Sequence, residues 1–429
     1  MPITPVQLET AYTRSLALLQ QMVAIPSTSR DEQAVADLLE QYMQQASGQQ
    51  VHRHGNNLWL IDPHYDAQRP TLLLNAHIDT VKPVASWQHD PFAPTLETVT
   101  LPDGTTEQRL YGLGTNDDGA SLVTLLHTYL LLTAPTASQL EPTTQHPAAT
   151  YPESAAQHPA AQSPESAALC SEAGVPCSEA GVPRRPNLIF LASAEEEVSG
   201  KNGIESVLPL LPPIAVALVG EPTGMQPAIA EKGLVVLDGV AHGKSGHAAR
   251  NEGINALYLA LDAIQLLRNY RFEHESPTLG PIKVTVTGIQ AGTVHNVVPD
   301  TCTFMVDCRT TDAYTNEQVV DQLRQTIGAT SGTPADAATA PCITLTPRST
   351  RLQPSGIALS HPLVQRILEH GRQPFGSPTL SDQALMRFPS LKMGPGQSAR
   401  SHTADEYIRP DEIREAIALY YDILQGLVL

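Results

Sequence analysis

Apolar and polar positions along the chain follow two periods in turn. Residues 5–46 repeat apolar side chains at three- and four-residue steps and predict two helices, split by "IPSTSRDE". "LWLID" (58–62) and "TLLLNAH" (71–77) read as strands, and "GASLVTLLHTYLLL" (119–132) as a buried helix. "NLIFLAS" (187–193) and "IAVALVG" (214–220) are unbroken apolar runs, as expected of parallel strands covered on both faces. Strand and helix patterns alternate, which predicts an α/β fold with a mixed, mostly parallel sheet flanked by helices. From about Lys232 the pattern changes. "LVVLDGVAHG", "IKVTVTGIQAG" and "CTFMVDCRTT" alternate, with helices at 253–269 and 315–327, and predict a smaller α+β domain with one exposed sheet face. After residue 346 the chain reads as α/β again, and a tail helix at 410–428 is expected to pack back on the first domain. The expected division is therefore 1–231 and 346–429 as one domain, with 232–345 inserted into it.

Composition changes this picture in one place. "QHPAATYPESAA" at 145–156 is followed by "QHPAAQSPESAA" at 157–168, and "CSEAGVP" at 170–176 recurs at 177–183. Such Pro-, Ala- and Ser-rich text buries too little apolar surface to offset the entropy of ordering, so 134–186 is expected to be a disordered insertion. Cys170 and Cys177 come with the duplication and match no metal-ligand spacing. Over 429 residues the formal charge is −18, from 26 basic and 44 acidic residues, which argues against a nucleic-acid partner. No apolar run is long enough to cross a bilayer, and "MPITPVQLETAYTRS" lacks the basic and apolar regions of a signal peptide. Five cysteines, an odd number without zinc spacing, suit a reducing compartment. A cytoplasmic protein without a membrane partner is the expectation.

The candidate chemistry sits at strand ends. "NAHIDTV" places His77 and Asp79 after one strand. "GLGTNDDGAS" places Asp117 and Asp118 before a helix. "ASAEEEVSG" and "LVGEPTG" end two more strands with Glu195-Glu196-Glu197 and Glu221, and a later "SARSHTADEY" adds His402. Open α/β sheets gather ligands at the carboxyl ends of their strands. Each motif alone has a plainer reading: a core histidine, a helix cap, a solvated acidic loop, a turn. Together on one rim, mixed imidazole and carboxylate donors suit zinc or a similar divalent ion. Two ions sharing one carboxylate need roughly two further ligands each. A carboxylate beside a ligand carboxylate, but itself unbound, can take a proton from water and return it to a leaving amine.

The order His-x-Asp, Gly-x-Gly-x-x-Asp, Glu-Glu, Gly-Glu-Pro-Thr and a late His resembles the co-catalytic zinc aminoacylase/carboxypeptidase family. Acetylornithine deacetylase, succinyl-diaminopimelate desuccinylase and glutamate carboxypeptidase belong to it. The resemblance covers the chain apart from the insertion. It implies a zinc-peptidase-like catalytic domain with an inserted lid and dimerisation domain, a homodimer, and two Zn²⁺ ions with Co²⁺ or Mn²⁺ as substitutes. His77 and Glu221 would hold one ion, Glu197 and His402 the other, and Asp117 would bridge them. Asp79 would orient His77, and Glu196 would be the general base and acid. The Asp117–Asp118 bond stands where the family has a cis peptide. "HGKSGHAAR" resembles the segment whose histidine, here His247, reaches the substrate carbonyl, often from the partner subunit. Asn296 of "TVHNVVPD" and Arg309 of "DCR" match positions near the substrate carboxylate. The plainer reading of Arg309 is an ion pair on a sheet face.

There are departures. The usual Gly-Arg-Gly is "GLG", Asp118-Gly119 replaces Met-Lys, and Glu195 replaces an Asp. They leave the ligand positions intact and bear on substrate choice. "GLGTNDDGAS", "SDQALM" and "GPGQSARSHTADEY" look most like the acetylornithine deacetylase branch. The resemblance thus implies removal of an acetyl or succinyl group from an N-acyl ornithine or citrulline in arginine biosynthesis. A metallo-dipeptidase or aminopeptidase of the same family would share every ligand. For Glu195 a supporting hydrogen bond is expected.

Overall fold

The unbroken apolar runs form the centre of a nine-stranded sheet. This is seen in a computed structural model that describes residues 2–134, 185–328 and 342–429. The body of the duplicated insertion, with Cys170 and Cys177, lies outside the described residues. Across the sheet run β1 (His52–His54), β2 (Asn57–Ile61), β6 (Asn187–Ser193), β3 (Thr71–His77), β7 (Val216–Val219), β17 (Ser390–Lys392), β8 (Ala228–Glu231) and β15 (Ser355–Gly356). β16 (Phe375–Ser377) also pairs with β8. The four central strands β6, β3, β7 and β17 are parallel, while β1, β2, β8 and β15 join antiparallel.

Both faces of the centre are covered, so the central strands carry no polar alternation. Leu72 and Leu74 of β3 face α1 (Pro5–Val23), α2 (Gln33–Ser47), α3 (Ala120–Thr133), α7 (Pro362–Glu369) and α8 (Pro410–Gln425) within one core. That core includes Leu18, Leu122, Tyr129 and Tyr420. Leu73 points the other way, into a core with Trp59, Ile189 and Ala217 beneath α4 (Ile204–Val207). α1 starts at Pro5 because Thr4 and Gln7 form a reciprocal cap, at 3.2 and 3.0 Å. The tail helix α8 packs on α1 and α3, as expected.

Inside α3, His127 is enclosed. Its ring meets the Ser15 hydroxyl at 2.8 Å and the Tyr42 hydroxyl at 2.7 Å. Burial pushes its pKa down to about 4. The folded chain thus holds His127 neutral where the unfolded chain protonates it, so stability is lost as pH falls from about 6.5 towards 4. Replacing His127 by Gln is expected to reduce this acid-induced loss by about 3 kcal/mol. Chemical unfolding of both proteins at pH 7 and pH 4 measures it.

The alternating segments form a four-stranded antiparallel sheet in the order β11 (Lys283–Ala291), β13 (Thr301–Thr310), β9 (Gly233–His242), β14 (Cys342–Pro347). One face packs Val235, Leu237, Phe304 and Val306 against α5 (Ala256–Asn269) and α6 (Asn316–Ile327). Exposed positions alternate along β11, as the pattern requires. A short ribbon joins β10 (Gly246–His247) to β12 (Val297–Val298). A further three-stranded sheet, β18 (Tyr407–Ile408), β5 (Thr106–Tyr111) and β4 (Thr95–Thr100), has no counterpart in the sequence reading. β4 buries none of its residues, so it leaves no core periodicity to read. Among the described residues Cys302, Cys308 and Cys342 are free thiols. No helix there is long and apolar enough to cross a membrane.

Candidate metal centre

Parallel pairing assembles the site. Because β6, β3 and β7 run side by side, His77 lies opposite Ser193 and Asn75 opposite Val219. The segments after these strands therefore leave the sheet along one edge, carrying Asp79, Glu195–Glu197 and Glu221. A close approach is needed beside Glu221. A Cβ on Gly220 would stand 2.5 Å from that of Ser121, so glycine is required there.

His77 and His402 stand on either side of Asp117. His77 Nε2 lies 3.3 Å from Asp117 Oδ1, and His402 Nε2 lies 3.7 Å from Asp117 Oδ2. His402 Nε2 also lies 3.0 Å from Glu197, and Glu196 Oε2 is 3.8 Å from His77 Nε2. Donor atoms of His77, Asp117 and Glu197 fall within 4.8 Å of one another, as do those of His77, Glu196 and Glu221. The Asp117–Asp118 peptide is cis.

The electrostatics fit a cation. Burial, then neighbouring like charges, holds the Glu196 and Glu221 carboxyls well above the ordinary carboxylate range. Burial disfavours a charged His77, but hydrogen bonds to Asp117 and Asp79 outweigh it and keep its pKa well above the usual value. The hydrogen bond to Glu197 brings His402 up to about 8. Asp118 Oδ1 is buried without a hydrogen-bond partner. Four carboxylates and two imidazoles converge on this rim, with only His402 among them exposed, and form a donor set suited to divalent ions. The residues present fit the two-ion site implied by the resemblance.

Asp79 acts differently from the expectation. His77 Nδ1 meets the backbone carbonyl of Asp79 at 2.8 Å, while the Asp79 carboxylate stands 3.6 Å away. That carboxylate accepts the backbone N–H groups of Glu196 at 3.0 Å and Glu197 at 3.1 Å, and the Ser29 hydroxyl at 2.7 Å. It therefore fixes the acidic turn as well as neighbouring the imidazole. Glu195 makes the supporting bond expected of it, accepting from Asn202 Nδ2 at 2.8 Å. It adopts a left-handed φ of 55°, and its side chain fills the space a Cβ on Gly200 would need.

The remaining candidates lie apart from this cluster. His247 is exposed, and its Nδ1 accepts from the Ala249 N–H at 3.1 Å. Asn296 is exposed beside it, with its backbone carbonyl accepting from Ala248 at 3.0 Å. Arg309 pairs with Asp307 on the same strand at 3.0 Å, the sheet-face ion pair. Among the described residues, none of the three hydrogen-bonds to a metal-site residue.

Three buried groups near the centre had no sequence assignment. Glu406 accepts the backbone N–H groups of Asn116 at 2.8 Å and Asp117 at 2.9 Å, and burial pushes it up to about 8. Asp382 accepts from the Ser193 hydroxyl at 2.6 Å, and burial pushes it up to about 6. Lys392 pairs with Glu231 at 2.9 Å where both side chains are at most 2% exposed. Glu406 and Asp382 lie in motifs already noted, "SHTADEY" and "SDQALM", but nothing in their spacing points to these partners.

A family model for the peptidase dimerisation domain of the M20 group matches residues 229–332. Acetylornithine deacetylase of Myxococcus xanthus is 33% identical over 149 residues, 33% of this chain and 38% of that protein. This match spans little more than a third of that relative's length. Succinyl-diaminopimelate desuccinylase of Corynebacterium glutamicum is 22% identical over 423 residues, 94% of each chain. A dinuclear metal-binding peptidase of the M20 family from Bacillus subtilis shares the fold, with a TM-score of 0.64. It is 15% identical and covers 97% of this chain and 98% of its own. Residues 229–332 thus match the M20 dimerisation domain, and the chain as a whole shares the fold of M20 peptidases.

Proposed function

We propose that this protein is an M20 enzyme, a dinuclear, zinc-dependent deacylase that removes an acyl group from an N-acyl amino acid. The proposed substrates are N-acetyl or N-succinyl ornithine or citrulline, placing it in arginine biosynthesis in the cytoplasm. One observation carries the reading. Asp117 turns its two oxygens towards His77 and His402, while Glu196 stands at the same rim beside His77. His77 and Glu221 would hold one ion, Glu197 and His402 the other, and Asp117 both. Bound divalent ions would make a water acidic and polarise the acyl carbonyl. Glu196 would take the water's proton and deliver it to the departing amine. Its raised pKa, set first by burial, suits a group that must hold a proton between the two steps.

Residues 232–345 are proposed as the lid and dimerisation domain of a homodimer. The exposed His247 would then meet the acyl oxygen of a partner's site, with Asn296 and Arg309 near the substrate carboxylate. Arg309 would have to exchange its Asp307 partner for the substrate.

The second reading is a metallopeptidase, supported by the fold shared with the Bacillus subtilis peptidase. An amine-release assay over N-acetylornithine, N-succinylornithine, N-acetylcitrulline and several dipeptides separates the two. At least one N-acyl amino acid is expected to exceed every dipeptide in kcat/KM by about 100-fold, roughly 2.7 kcal/mol of transition-state discrimination. The reverse order would establish the peptidase.

A further inference from the structure

His402 is the exposed member of the metal centre, with 55% of its side chain open. It belongs to no helix or strand. It stands in the loop between a short turn at Ser398–Arg400 and β18, with φ at 59°. That left-handed backbone is uncommon for a histidine and has to be maintained by its surroundings. His77, by contrast, closes a buried strand and rests on the Asp79 carbonyl. The two imidazoles on either side of Asp117 are therefore held by different means.

The side chain that holds the His402 loop to the centre is Asn116, the residue before Asp117. It is fully buried. Its Nδ2 donates to the Gln397 carbonyl at 3.1 Å and to the Ser401 hydroxyl at 3.2 Å, and its Oδ1 accepts the Gln397 N–H at 2.9 Å. Both N–H groups and the oxygen of one amide are thus spent on the stretch leading into His402. The stretch leading out is tied to the same place, because Glu406 accepts the backbone N–H groups of Asn116 and Asp117. The approach is close. Gly396 has φ at 81°, and a Cβ there would stand 2.3 Å from Asn116 Oδ1. Other ties lead outward, from Asp405 to His89 at 3.0 Å and from Arg400 to Glu412 at 2.7 Å. Neither of those partners belongs to the metal centre. Asn116 instead joins the loop to the chain segment that carries Asp117, whose Oδ2 lies 3.7 Å from His402 Nε2.

We infer that Asn116 is a positioning residue for the ion that His402 and Glu197 would hold. It acts through the loop and sets how far His402 stands from Asp117. The ion at His77 and Glu221 does not depend on it. The inference rests on the two-ion reading above and adds to it a residue outside the ligand set.

The test uses the full chain, stripped of metal and titrated with Co²⁺, read by equilibrium dialysis and visible absorption. Two ions per chain are expected for the wild type and one for His402→Ala. Asn116→Ala is expected to weaken one of the two ions at least tenfold and leave the other unchanged, since groups that orient metal ligands are worth about 10- to 100-fold in affinity. In the His402→Ala background the same substitution is expected to leave the remaining ion's affinity unchanged. Gly396→Ala keeps Asn116 but forces the loop off its amide, and is expected to weaken the same ion; it decides if Asn116→Ala does not fold. Equal weakening of both ions would overturn the inference. So would a lowered Tm with both affinities intact, which would make Asn116 a tie of the fold alone, or a further loss of affinity in the His402→Ala background. Fewer than two ions in the wild type, or two still bound by His402→Ala, would overturn the two-ion assignment itself, and the inference with it.

Discussion

Replacing Glu196 by Gln is expected to lower kcat about 10³-fold while the metal content stays unchanged. A positioned acid or base contributes on the order of 10² to 10⁴ in rate, and the amide can neither take nor return the proton. The substitution leaves the local frame in place, because the turn is held through the backbone N–H of Glu196 to Asp79 rather than through its side chain. Glu197 provides the contrast. Its carboxylate shares His402 at 3.0 Å and groups with His77 and Asp117, so Glu197→Gln is expected to lose bound metal along with activity. Steady-state kinetics and elemental analysis on both variants read the difference. Metal lost from Glu196→Gln and retained in Glu197→Gln would exchange the two roles.

Stripping the metal is the second large perturbation. Activity is expected to fall to background and return on adding zinc, cobalt or manganese. Stability is expected to fall as well. An ion at one hundred times its Kd stabilises the folded chain by about 2.7 kcal/mol, so two sites amount to about 5 kcal/mol. For a chain of 429 residues that corresponds to a drop in Tm of about 6 °C. The drop depends on pH. In the stripped protein burial raises the Glu196 and Glu221 pKa values, so the folded state holds protons that the unfolded state has released. Its stability therefore falls as pH rises above the ordinary glutamate range. Metal binding instead favours the ionised carboxylates. The Tm gap between loaded and stripped protein is expected to widen from pH 5 to pH 8, as thermal melts in chelator and in zinc would show. A gap that narrows would mean that these carboxylates do not meet the ions.

The parts of this protein that could be read from its sequence are those whose signal is local. β3 and β6 are buried along their whole length, so seven consecutive residues in each announce a strand. The site residues directly after such strands inherit that legibility: His77 closes β3, and the acidic triplet follows one residue after β6. β4 shows the opposite case, since a strand with no buried residue gives no pattern. The supporting carboxylates were hidden for another reason. Asp382 meets Ser193 across 189 positions and Glu406 meets Asn116 across 290, so only the folded chain brings them together. Asp79 neighbours His77, but its backbone and side chain serve different partners, a division that residue type alone does not reveal.

That division at Asp79 has a consequence for how the centre tolerates change. One residue touches the imidazole through its carbonyl and the acidic turn through its carboxylate. It works like a gauge block between two parts of a machine. The separation of His77 from Glu196 and Glu197 is set once, by the size of a single short side chain, rather than negotiated among several loops. Drift in the surrounding scaffold moves both parts together and leaves their spacing intact, whereas a change at Asp79 itself disturbs metal affinity and proton transfer at the same time. Neither property can be tuned from that position without retuning the other.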